Sequence, residues 1–182
     1  LKSQISLCPL FIQDAAMTST TIRRLQPGEG PTFQSIRLIA MRLDESTFGS
    51  TLAEEEARPD SWFEDRVRAD GVFVAESEGR VLGVVAVGPK APAKERHKGL
   101  VYSMFVLPEG RGRGLGATLM AACLDYARDV VEIVQLVVVS TNAVAVALYE
   151  AAGFERYGFE PRALLQKDGR YTDDLHMWKR LK

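Results

Sequence analysis

At 182 residues the chain is long enough to bury a substantial core and short enough to be read as one domain. Hydrophobic residues make up 46% and charged residues 26%, as in an ordinary soluble globular protein, and a formal net charge of −1 gives no support for broad binding to nucleic acid. Cys8 and Cys123 are too few for a disulfide framework, and with two histidines they show no metal-ligand spacing, so no metal is implied.

Residues 1–16 lack an initiator methionine, and their apolar patch, Leu7 to Ile12, is too short for a membrane span and too broken by Pro9 for a secretory signal. They are read as a flexible extension or as residues extraneous to the fold, with a single domain over 17–182. No other stretch approaches transmembrane length, so no membrane partner is expected, and a reducing cytoplasm is the simplest compartment. Thr20 to Leu25, rich in β-branched residues, predicts a first strand. An amphipathic helix follows from Pro31 or Thr32, with Phe33, Ile36, Leu38, Ile39, Ala40 and Leu43 as its buried side. After a loop over Glu45–Ser50 come a short helix at Thr51–Ala57 and a third segment at Trp62–Val67, capped by Asp60 or Ser61. Asp44 to Asp65 holds eight acidic residues against Arg58 alone, read either as solvated helix faces or as a wall that favours a cationic ligand.

Gly71–Glu76 and Arg80–Val87 predict a hairpin, and Gly88–Lys98 a polar loop. Leu100–Leu107 reads as a strand that Pro108 ends, followed by a turn in which Gly110, Gly112, Gly114 and Gly116 permit positive φ and close approach of a ligand. A helix runs from Leu115 to Arg128 with Cys123 on its apolar face, where a buried thiol is expected. The apolar run Ile133–Val139 predicts a strand covered on both faces. Asn142 starts a helix that Gly153 stops, and Phe154–Glu160 with Tyr171–Arg180 form a final antiparallel pair.

The turn's N–H groups at a new helix N-terminus, beside Arg111 and Arg113, make an anion site suited to a pyrophosphate. It lacks the Gly-Lys-Ser/Thr ending of a nucleoside-triphosphate loop, and Gly112-x-Gly114-x-Gly116 is not the dinucleotide spacing. Arg111-x-x-Gly114-x-Gly116, preceded by Val106-x-Pro108, resembles the acetyl-CoA pyrophosphate loop of the GNAT superfamily of N-acyltransferases. Asn142-x-x-Ala145-x-x-Leu148-Tyr149-x-x-x-Gly153-Phe154 matches the family's second signature at every defined position.

The resemblance implies an α/β (α+β) fold, in the order β-α-α-β-β-β-α-β-α-β-β. Its mixed, mostly antiparallel sheet of about seven strands would have flanking helices and splayed central parallel strands. It implies acetyl-CoA as co-substrate, held by the peptide groups of Met104, Phe105 and Val106, by Arg111, Gly112, Arg113, Gly114, Leu115, Gly116 and Ala117, and by Asn142. Tyr149 stands where the family keeps a phenol near the departing sulfur. Relatives that acetylate protein N-termini place a Glu five residues before the Asn; Val137 stands there in this chain. Substitute bases are Glu45, Glu64, Glu76, Asp173, Asp174 and His176, and Phe48, Trp62 and Phe63 are candidates to line the acceptor pocket. The implied activity is N-acetylation of a primary amine on a small molecule or protein. The alternative is a non-catalytic acyl-CoA sensor, and homodimer formation, common in the family, stays open.

Overall fold

A computed structural model describes residues 19–182. The predicted extension at 1–16 and the position of Cys8 lie outside them. Seven strands form one mixed sheet in the order β1-β2-β3-β4-β5-β7-β6. They are β1 (Thr21–Arg24), β2 (Gly71–Ser77), β3 (Arg80–Pro89), β4 (Lys98–Val106), β5 (Ile133–Val139), β6 (Glu155–Leu165) and β7 (Tyr171–Arg180). Every pairing is antiparallel except β4 with β5. Helices α1 (Gly30–Leu43), α2 (Leu52–Glu56) and α3 (Asp60–Ala69) precede β2, while α4 (Leu115–Val130) and α5 (Ala143–Ala151) flank β5 in sequence.

The sheet carries a core on each face. Leu119, Met120 and Cys123 of α4 and Val146 and Tyr149 of α5 pack against Val85, Val87, Leu136 and Met177. On the other face Phe33 and Ile36 of α1 and Phe63 and Val67 of α3 meet Val72, Val74, Val84 and Ala86. The expected burial of Cys123 holds, with no exposed surface.

Several local expectations need correction. On α1 the buried stripe is Phe33, Ile36, Arg37, Ala40 and Met41; Ile39 and Leu43 are exposed, because that side of the helix faces solvent rather than the sheet. α3 begins at Asp60 behind Pro59 without a side-chain cap. Glu64 of α3 accepts from the Gly28 and Gly30 N–H groups at 2.8 and 3.0 Å. β5 is not covered on both faces: Val134, Leu136 and Val138 are buried, but Val137 is 47% exposed. An apolar run does not by itself show which side a neighbour covers.

Candidate active site

β4 and β5 pair only through Lys98–Leu100 and Ile133–Gln135. Beyond that point the two strands part. A bulge in β4 accompanies the parting: Val85 of β3 faces both Ser103 and Met104, and Ser103 adopts φ of 56°. Leu107 N–H donates to the Leu82 carbonyl at 2.8 Å. Antiparallel alternation from that pair turns the peptide group of Phe105 toward β3 and those of Met104 and Val106 toward the unpaired edge.

The glycine turn lies at the end of this edge. Gly112 and Gly114 have φ of 71° and 74°, and a Cβ at either would meet nothing within 4 Å, so backbone conformation alone requires glycine there. Gly110 and Gly116 do not adopt the positive φ that the sequence suggested; Gly116 sits inside α4, in contact range of Leu148 and Met104. Gly114 caps α4, and Thr118 makes the helix's first hydrogen bond back to its carbonyl. The N–H groups of Leu115, Gly116 and Ala117 precede that bond. Arg111 folds back, with Nε donating to the Val106 carbonyl at 3.1 Å and its guanidinium 5.6 Å from the Phe105 ring centre. Arg113 reaches Thr20 at 2.9 Å. Leu115 is a core residue, and Ala117 lines a cleft of about 330 Å³ between α4 and α5.

Asn142 caps α5, its side-chain oxygen accepting from the Ala145 N–H at 3.1 Å. About two turns on, Tyr149 is buried with its ring edge-on to Phe154, centres 6.0 Å apart. Burial, and secondarily Cys123, push its phenol up to about 12.

On the sheet face shared with α1, Val137 of β5 is in register with His176 of β7, and Val139 with Asp174. His176 Nε2 lies 3.2 Å from Glu160, and its ring meets that of Tyr157. Asp174 is 7% exposed with Oδ1 buried and unpartnered. Burial raises its pKa; Glu160 and Asp173 add to the rise, while His176 opposes it. The other candidate bases have structural partners: Glu45 binds Lys167 and the Leu52 N–H, Glu64 the Gly28–Gly30 loop, Glu76 Arg23, and Asp173 the Arg162 N–H. Neither Asp174 nor His176 has a sequence motif; cross-strand register alone sets them beside Val139 and Val137.

A groove of about 710 Å³ opens between the α1–α2 connection and the β6–β7 loop, lined by Phe48, Ser50, Glu54, Ser140, Leu164 and Thr172 among others. Of the three predicted lining aromatics only Phe48 is there; Phe63 is core, and Trp62 packs on it under Arg58. The acidic stretch mostly serves the scaffold. Glu54 closes a capping box with Thr51, Glu56 pairs with Arg42, and Glu55 is fully buried against Arg37. Among the described residues no cluster of His, Cys, Asp and Glu is placed to hold a metal. No described helix is long and apolar enough to cross a membrane.

The sequence profile described as the Acetyltransferase (GNAT) family matches residues 37–154, across both the split strands and the α5 signature. The chain belongs to the GNAT acetyltransferase family. A crystal structure of the ribosomal-protein-alanine N-acetyltransferase from Brucella melitensis is 33% identical, covers 88% of this chain and 99% of its own, and superposes with a TM-score of 0.75. The acetyl-CoA-bound structure of a putative acetyltransferase from Salmonella typhimurium, 24% identical, covers 90% of this chain and 95% of its own at a TM-score of 0.78 and shares the fold. The mycothiol acetyltransferase of Saccharomonospora viridis is 42% identical over 57% of this chain, which spans only 34% of that protein. The L-methionine sulfoximine/L-methionine sulfone acetyltransferase of Pseudomonas aeruginosa is 31% identical over 64% of this chain and 69% of its own length.

Proposed function

We propose that this GNAT member is an acetyl-CoA-dependent N-acetyltransferase acting on a primary amine, of a small molecule or a protein, by direct attack. The observation that carries this reading is the unpaired β4 edge running into the Gly112–Gly114 turn at the start of α4. Such an edge accepts an amide-bearing arm as an added strand, and the turn's N–H groups suit a pyrophosphate. Acetyl-CoA has both parts and supplies the acetyl thioester. Met104 and Val106 would hold its amides, with Phe105 contributing its ring; Arg111 to Ala117 would hold the pyrophosphate, while Asn142 keeps the start of α5 in place.

One N–H of the unpaired β4 edge would polarise the thioester carbonyl, a single donor worth about 3 kcal/mol. The amine nitrogen bonds to the acetyl carbon, the C–S bond breaks, and the sulfur leaves as thiolate. Asp174, with His176 beside it, takes the proton that the amine sheds. Full transfer from a phenol near 12 to a thiolate of ordinary pKa ~8.5 costs about 5 kcal/mol, so Tyr149 serves as a hydrogen-bond donor to the sulfur.

Calorimetric binding of acetyl-CoA, then thiol release with L-methionine sulfone and with an alanine-N-terminal peptide, tests the reading. Binding with turnover of either amine supports it, whereas folded protein that binds no acetyl-CoA refutes it. Binding with no turnover across a broader amine panel favours a sensor, the reading to which Val137 at the glutamate position lends weight. Asp174→Asn is expected to lower kcat/KM by about ten- to a hundred-fold and to abolish an acid limb lying above the ordinary aspartate range; an unchanged pH profile removes Asp174 from the mechanism. Gly114→Val, forced to positive φ, is expected to weaken acetyl-CoA binding by at least about ten-fold in the same calorimetry.

A further inference from the structure

The groove wall and the unpaired β4 edge are joined by one buried side chain. Arg37, on the sheet-facing side of α1, is 9% exposed, and its guanidinium is shared three ways. Nε and Nη2 form a fork on Glu55 of α2 at 2.7 and 2.8 Å, and Nη1 donates to the Ser103 hydroxyl at the β4 bulge. Ser50 donates to the same carboxylate at 2.7 Å, and Phe48 lies under the guanidinium, 5.6 Å from its ring centre. Phe48 in turn meets Phe105, the ring beneath Arg111.

We propose that Arg37 is a positioning residue that couples the two halves of the site, so that a ligand added along β4 orders the Phe48–Glu56 wall against which the acceptor amine rests. This rests on the acetyl-CoA reading above. Two observations tie this ion pair to the β4 edge. The Arg37–Glu55 fork neutralises both charges, and the remaining Nη1 donor, which burial obliges to find an acceptor, finds it at the bulge and not on α1 or α2. Ser103 also holds a left-handed backbone there, which a non-glycine residue adopts only when its surroundings enforce it. Any shift of the bulge when the edge gains a partner is thereby transmitted through one guanidinium to Glu55 and Ser50.

Ser103→Gly separates coupling from stability, because glycine accepts the backbone conformation but removes the hydroxyl. In amide hydrogen exchange of the wild type, saturating acetyl-CoA is expected to slow exchange across Phe48–Glu56 by at least about ten-fold. In Ser103→Gly, in which relief of the left-handed backbone partly offsets the unpaired Arg37 donor so that the protein stays folded at the temperature of the exchange measurement, acetyl-CoA is expected to bind within about three-fold of wild type while that slowing falls below about two-fold. Arg37→Lys, whose single ammonium cannot fork on Glu55 and reach Ser103 together, is expected to lose the coupling likewise. No slowing in a wild type that binds acetyl-CoA, or slowing retained in Ser103→Gly, overturns the coupling and leaves the function standing. Folded wild type that binds no acetyl-CoA overturns both.

Discussion

Tyr149→Phe is expected to lower kcat by about a hundred- to a thousand-fold while acetyl-CoA binds within about two-fold of wild type. The substitution keeps the ring that packs against Phe154 in the core and removes only the hydroxyl, so the fold has no reason to change. On the proposed mechanism the substitution removes one hydrogen bond to sulfur as charge develops there, in a setting with little water to replace it. Thiol release and calorimetry on the same preparation check the split. A kcat within about three-fold of wild type would show Tyr149 to be a core aromatic and leave the departing sulfur to solvent.

Glu55→Ala is expected to destabilise the protein by about 3–5 kcal/mol, because it strands the buried Arg37 charge and leaves Ser50 without its acceptor. For a chain of this length that corresponds to a Tm lower by roughly 6–20 °C. Replacing both partners, as Arg37→Met with Glu55→Leu, is expected to recover most of that loss, since the penalty lies in the unpaired charge and not in the absence of the pair. Thermal melts of the two variants side by side decide the matter; equal melting would mean that the pair itself contributes the stability.

The same carboxylate sets an acid limit. Burial alone would raise its pKa, but hydrogen bonds from Arg37 and Ser50 and the charges of Arg37 and Arg58 outweigh that and hold it at about 2, against 4.5 for an unperturbed glutamate. A pKa depressed by folding contributes stability that is present in full above the unfolded value and is lost as pH falls from about 4.5 toward 2. That loss amounts to about 3 kcal/mol. Denaturant midpoints measured across this window should fall less in the Arg37→Met/Glu55→Leu protein than in the wild type.

Local chemistry made much of this protein legible in its sequence. β5 and β7 were readable to the residue because each apolar or alternating run is bounded by turn residues, and the Asn142 cap because a short polar side chain before an apolar helix has one common use. The ordered motifs from Val106 to Phe154 carried the family. Tertiary structure decided what depends on neighbours distant in sequence. Nothing in the sequence singled out Arg37; Glu55, 18 residues on, and Ser103, 66 residues on, enclose it only in the folded chain. Val137 was expected to be covered on both sides, but in the sheet it is 47% exposed and in register with His176 of β7. Side-chain type and spacing report local backbone preference and apolar content; burial, pairing of charges and a shifted pKa arise only when strands meet in register, and register is a property of the whole sheet.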